Sequence, residues 1–218
     1  MRSVVAIACA AVAAVSTAAS AGLVNPYVPS WAGSPDARYA EWNSFTQPTG
    51  GANLPDFAGS SPYTVMNFAP GAFITGTGNL YSINSALYVM VMGGTLNGVT
   101  PSQMVMNVAT EGSTINLASV RMTLFDNVGN ALVLNPTQSL LRYDAPAVPQ
   151  GSVQTRAFVW DVVSLPFAAT GFRIEFAAAA PSMSLDALRI DGNYAPIPAP
   201  GAIALLGISA MVARRRRP

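Results

Sequence analysis

From residue 62 onward the chain is written in short apolar runs, rich in β-branched and aromatic residues and separated by clusters of Gly, Asn, Pro and Ser. Runs at 63–68, 72–75, 79–83, 86–92, 103–108, 118–125, 131–134, 155–163, 171–177 and 183–190 each predict a strand. Several declare their faces. In 171–177, Phe172, Ile174 and Phe176 alternate with Arg173 and Glu175, the pattern of a strand buried on one side. In 155–163, Phe158, Trp160 and Val162 oppose Ala157, Val159 and Asp161. Residues 87–92 are apolar on both faces, which predicts a central strand covered on both sides. The turn-forming run 126–130, Asp-Asn-Val-Gly-Asn, predicts a hairpin over 119–134. Alternation breaks between Ala187 and Leu188, which predicts a bulge or local twist. No helical period is sustained, so residues 62–192 read as an all-β domain, a jelly-roll-like β-sandwich.

The flanks have a different texture. Residues 22–61 carry prolines, glycines and the aromatics Tyr27, Trp31, Tyr39, Trp42, Phe45 and Phe57, and read as an irregular arm packed across the domain. Within it only 36–45 has helical spacing, with Asp36 as N-cap and Tyr39, Trp42 and Phe45 three apart. Residues 1–21 read as a secretory signal peptide: Arg2, an apolar run, then Ala19 and Ala21 where a signal peptidase reads small residues, with cleavage expected before Gly22. At the other end, 193–200 is a Pro-rich linker, 201–213 an uncharged and mostly apolar segment, and Arg214, Arg215, Arg216 and Arg217 a basic stop. Basic residues beside an apolar segment resist translocation, so this order predicts a short membrane helix with the body outside.

Composition narrows the chemistry. With the ends set aside, residues 22–199 carry six arginines against ten acids, a mildly acidic body. Nucleic-acid binding relies on clustered basic residues, so it is not expected. The chain has no histidine and no lysine, and its one cysteine, Cys9, lies in the signal peptide. That removes Ser-His-Asp and Cys-His nucleophiles, ordinary zinc sites, Schiff-base chemistry and disulfides from the mature chain.

The tail Pro198-Ala199-Pro200, the segment containing Leu205-Leu206-Gly207, and Arg214 to Arg217 resemble the PEP-CTERM sorting signal of exported bacterial proteins. In that family a Pro-Glu-Pro motif precedes a membrane segment and a basic cluster, and an exosortase processes the chain near the motif. The resemblance implies the sorting motif at Pro198, Ala199 and Pro200, with alanine where the family has glutamate, and exosortase, the membrane and an exopolysaccharide matrix as partners. The runs 172–176 and 184–191 also resemble strand pairs that close galactose-binding-like sandwiches.

Four sets of residues are candidates for chemistry in the body. Glu175 and Asp186, joined by Glu41 or Asp161, are the carboxylates a glycoside hydrolase would need as an acid and base pair, although Glu175 reads more simply as a solvated partner of Arg173. A structural calcium ion, which takes oxygen ligands, has Asp186, Asp191 and Asn193, or Asp126, Asn127 and Asn130, as candidate ligands; no other cofactor is expected. Met90 with Met92, and Met104 with Met106, have the form of thioether pairs for copper(I) but read as core packing. Trp31, Tyr39 and Trp42 are the candidate glycan contacts, since rings stack on the apolar faces of sugars. The expectation is a non-enzymatic, exported and surface-sorted protein of the envelope or extracellular matrix. The alternatives are a carbohydrate-binding module that holds exopolysaccharide and a carboxylate-based hydrolase.

Overall fold

The computed structural model describes residues 22–59, 63–94, 99–147, 151–162 and 165–196. The signal-peptide positions Ala19 and Ala21, the motif Pro198 to Pro200 and the arginines 214–217 lie outside the described residues. Among the described residues there is no helix, and none therefore long and apolar enough to cross a membrane.

The described residues form thirteen strands in two antiparallel sheets. In chain order they are β1 (Ala37–Trp42), β2 (Phe57–Ala58), β3 (Thr64–Asn67), β4 (Phe73–Ile74), β5 (Leu80–Ser82), β6 (Tyr88–Gly94), β7 (Val99–Gly112), β8 (Ile115–Phe125), β9 (Ala131–Leu134), β10 (Gln138–Pro146), β11 (Ser152–Asp161), β12 (Gly171–Ala178) and β13 (Met183–Pro196). The larger sheet runs β10-β11-β7-β13-β1-β2, with β5 on the same edge of β13 and β4 beyond it; the smaller runs β3-β6-β12-β8-β9. From β6 to β13 the chain passes back and forth between the sheets, as in a β-sandwich. All ten strands expected from 62 onward are present.

The inner faces follow the alternation. Phe172, Ile174 and Phe176 of β12, Val89 and Val91 of β6, and Met122 and Leu124 of β8 meet Met104, Met106, Phe158, Trp160, Leu188 and Ile190 from the other sheet, all of them buried. At about 25 cal/mol per Å² of apolar surface removed from water, this layer is the main stabilising element of the fold. Tyr63 and Tyr194 close one end with a hydroxyl pair at 2.5 Å.

Several expectations are corrected. Residues 36–45 contain β1, not helical turns: Ala37–Trp42 pairs antiparallel with β13, so Ala40 and Trp42 point inward while Tyr39 and Glu41 point outward. The two-residue period and thirteen-strand context win over a three-residue spacing of rings. Strand β13 runs on to Pro196, into the expected linker, and β10 forms an edge strand that was not expected. Residues 87–92 are not covered on both sides. Val89 and Val91 are buried, while Met90 and Met92 are partly exposed on the outer face. The strands buried on both faces over much of their length are instead β7, β11 and β13 of the larger sheet, over which the arm packs. The Val24 N–H donates to Thr155 Oγ1 at 3.2 Å, Tyr27 and Asn107 exchange two hydrogen bonds at 2.7 and 3.0 Å, and the Trp31 indole donates to Gln103.

The expected bulge is in β13, one residue earlier than the pattern suggested. Its register against β7 shifts between Leu185 and Ala187, leaving Asp186 as the extra residue. The 119–134 hairpin is β8-β9, closed by Asp126 accepting from the backbone of Val128 and Asn130 at 3.0 and 2.8 Å. At the end of β7, Gly112 has φ +86, and a Cβ there would sit 2.3 Å from the Ser182 carbonyl oxygen. Replacing it with alanine therefore combines left-handed strain with a backbone clash. Gly112→Ala is expected to cost more than about 2 kcal/mol, read as a lowered denaturant midpoint at unchanged slope.

Candidate functional site

The outer face of the larger sheet holds a cleft of about 770 Å³ where the arm, β1, β2 and β13 meet. Pairing sets its floor. Tyr39 lies opposite Asp191 and Glu41 opposite Arg189 across the β1-β13 ladder, and Phe57 of β2 lies opposite Glu41 on the other side. Because alternate residues share a face, these five side chains project together, while Ala40, Trp42, Leu188 and Ile190 between them enter the core. Gly33, Ser34 and Pro35 of the arm form the opposite wall.

A charged fork runs through the floor. Arg189 donates through Nε and Nη2 to the two Asp191 oxygens at 2.8 and 2.7 Å, and its Nη1 lies 3.6 Å from Glu41 Oε2. Its guanidinium carbon sits 5.2 Å from the Tyr39 ring centroid, which fixes that ring by a cation–π contact. Asp191 is almost fully buried. Burial pushes its carboxyl above the ordinary range against the pull of Arg189, and the bidentate bond to Asp191 in turn raises the Arg189 pKa and holds it charged. Two rings stand at the mouth, Tyr39 41% exposed and Phe57 56% exposed. Arg38 also lines the cleft, and among the described residues its buried Nε has no hydrogen-bond partner.

The predicted residues are scattered by the fold. Of the three glycan candidates only Tyr39 stands in this cleft. Trp31 is partly buried and hydrogen-bonded to Gln103, and Trp42 lies wholly in the core with its indole on the Asn53 carbonyl at 3.0 Å. Glu175 and Asp186 are not neighbours, because β12 and β13 belong to different sheets. Nor is Glu175 a solvated partner of Arg173. It is 3% exposed and takes the Tyr88 hydroxyl at 2.6 Å and Arg121 Nε at 2.8 Å, with Arg173 at 3.8 Å. Burial alone would lift its pKa, but Tyr88 and the arginines hold it below the usual carboxylate value. Asp161 is tied to Thr137 and Gln103 on β11.

Of the calcium candidates, Asp191 is occupied by Arg189. Asp186 accepts from Ser184 Oγ and Asn79 Nδ2 at 2.6 and 2.8 Å, beside a second depression that contains Glu111. Asp126 serves the hairpin turn. Among the described residues no group of three or more acidic, His or Cys side chains converges on a point that would hold a metal. Phe57 and Arg189 were missed by sequence reasoning: only the pairing of β2 with β1, and of β1 with β13, brings them to Tyr39.

Fold and site together define an all-β chain of two packed antiparallel sheets with a ring-mouthed, charged cleft on one outer face. No family model matches the sequence, and no curated protein matches it. Among solved structures, the chain is similar to the enzymatically active domain of bacteriophage CBA120 tailspike protein 4, with 12% identity over 75% of this chain and a TM-score of 0.29. The match spans 20% of that chain. At that TM-score the likeness carries no functional argument.

Proposed function

We propose that this chain is an exported, surface-sorted and non-enzymatic β-sandwich protein that holds carbohydrate of the extracellular matrix in the Tyr39–Phe57 cleft. The observation that carries the binding half is the juxtaposition of two exposed rings with the Glu41–Arg189–Asp191 fork in one cleft. Rings cover the apolar face of a pyranose, and the fork offers fixed acceptors and donors to its hydroxyls. A non-catalytic role fits the same groups. Asp191 is saturated by Arg189, so the cleft has no pair of carboxyls with one held free and protonated, which glycoside hydrolysis requires. The export half rests on the sequence: Ala19-Ser20-Ala21 before Gly22, and the Pro198-Ala199-Pro200, apolar and arginine order at the other end.

Two measurements test the two halves separately. Affinity electrophoresis against a panel of acidic and neutral polysaccharides, including that of the producing cell, is expected to show retardation by at least one glycan. Tyr39→Ala and Phe57→Ala are each expected to weaken it about tenfold, about 1.4 kcal/mol, while Val133→Ala on the other sheet leaves it unchanged. No retardation by any glycan, or equal retardation of all variants, would overturn the binding half. Intact-mass analysis from the native host, with and without exosortase, is expected to show loss of residues 1–21 in both strains and cleavage near Pro198 only when exosortase is present. A chain ending at Pro218 in both would overturn the sorting half.

A further inference from the structure

The described methionines divide into two sets. Met104, Met106, Met122 and Met183 have no exposed surface and fill the space between the sheets, the ordinary use of a flexible thioether. Met66, Met90 and Met92 do something else. They alternate with the buried residues Val65, Val89 and Val91 and so stand on the outer face of the smaller sheet, partly exposed. Core packing does not account for three methionines on a face turned away from the other sheet, where the neighbouring outward positions are Thr64, Thr123, Arg121, Arg173 and Glu175.

Register places the three side chains side by side. Met66 pairs directly with Met90 across β3 and β6, and Met92 follows Met90 on the same face, opposite Thr64. Directly paired antiparallel residues have Cβ atoms about 5 Å apart, and residues two apart on one strand are about 6.5 Å apart. Methionine has three rotatable side-chain bonds, enough to bring thioethers anchored at those spacings onto one ion. The ligand inventory then decides which ion. The chain has no histidine, and its one cysteine, Cys9, lies outside the described residues, so thioethers are the soft donors among them. Soft thioethers select copper(I), not the hard cations that carboxylates take.

We propose that Met66, Met90 and Met92 form a three-sulfur site for copper(I) on the outer face of the smaller sheet. Tyr88, two residues before Met90 on the same face, packs its ring 6.1 Å from that of Phe68 and closes one side. Glu175 lies opposite Met90 and Arg173 opposite Met92; Arg121 Nε and Arg173 Nε stand 2.8 and 3.8 Å from the Glu175 carboxylate, so the neighbouring charges sum to one positive and the site rests on its thioethers, not on charge. Thioethers carry no proton to lose, and the site should therefore hold its ion at acidic pH, where carboxylate sites weaken.

The test uses the full chain with Cys9 alkylated, titrated anaerobically with copper(I) kept in solution by acetonitrile and followed by calorimetry at pH 7.5 and pH 5. One equivalent should bind at both pH values with affinities within about threefold. The volume-conserving triple variant Met66→Leu/Met90→Leu/Met92→Leu should bind at least a hundredfold more weakly, and Met104→Leu/Met106→Leu should bind like wild type. Methyl NMR of the wild-type chain with silver(I) as a diamagnetic substitute supplies a readout that needs no variant: three methionine methyls should shift while those of the core four stay in place. Absence of saturable binding, unchanged affinity in the triple variant, or shifts confined to core methionines would each overturn the proposal.

Discussion

Trp42→Ala should be among the most damaging single substitutions in the chain, lowering stability by about 3–5 kcal/mol, the range for removing a large buried ring. Trp42 has no exposed surface. It also does more than fill volume. Its indole N–H donates to the Asn53 carbonyl at 3.0 Å, and Asn53 is itself 1% exposed and organises the loop ahead of β3. The Asn53 side chain accepts from the backbone of Thr46 and Gln47 at 2.7 and 2.8 Å and donates to the Gln47 and Val65 carbonyls at 3.0 and 3.3 Å. Alanine would therefore leave a cavity and remove the donor to one carbonyl of a buried polar node. Against the ~5–15 kcal/mol that holds a typical domain together, such a loss is a large fraction. Trp42→Phe separates the contributions: most of the burial is kept and the hydrogen bond is lost, so a drop of about 1–2 kcal/mol is expected. Glycan retardation should be unchanged in Trp42→Phe, because the ring faces the core. Chemical denaturation of both variants checks the order, and a near-neutral Trp42→Ala would show that the arm contributes little to the inter-sheet core.

Asp186→Asn should stabilise the protein at pH 8 and remove one component of its pH dependence. Burial lifts the Asp186 carboxyl from 3.8 to about 6, with the Ser184 hydroxyl pulling the other way and Glu111 adding to the rise. Between those values the folded protein binds more protons at this residue than the unfolded chain. Its contribution to stability is thus fully present below about pH 4, falls as pH rises, and is gone above about pH 6. The shift corresponds to about 3 kcal/mol of penalty for the ionised form at pH 8. The hydrogen bonds oppose this direction, and burial outweighs them. Ser184 and Asn79 both donate to Oδ1 of Asp186. Asparagine keeps a carbonyl oxygen for these two donors and carries no charge to desolvate. Asp186→Asn is expected to gain about 2 kcal/mol at pH 8 and nothing at pH 4, seen as a melting difference of about 4–8 °C that closes on acidification. The difference between variant and wild type is the quantity to follow, since Glu175 has a lowered pKa and responds to acid in the opposite sense. A gap independent of pH would mean that Asp186 is not the group titrating.

The strand pattern of this protein is a local property and can be read from residue order alone. Phe172, Ile174 and Phe176 must share a face because a strand repeats every two residues, and the Asp126 to Asn130 turn forces β8 back on itself through Val128 and Asn130 N–H donors. The same local rule marks two sheets facing one core. It is silent on β10, whose residues are largely exposed and show no apolar alternation, and it misleads at 36–45, where ring spacing resembled a helix.

The candidate site is not a local property. Tyr39, Phe57 and Arg189 come from three strands, and the register of β1 between β2 and β13 is what puts them side by side. Sequence pattern distinguished outward from inward positions within strands such as β12, but not Tyr39 from Trp42, since both are aromatic and the strand that separates them was not evident. Likewise Met90 and Met104 are equivalent in sequence, each followed by valine and another methionine. One pair became core and the other surface because β7 presents its even-numbered residues to the opposite sheet while β6 presents its odd-numbered ones. Periodicity determines that alternate residues divide between two faces; which face meets the core is decided by the strand's place in the sandwich, through the apolar surface that each packing removes from water.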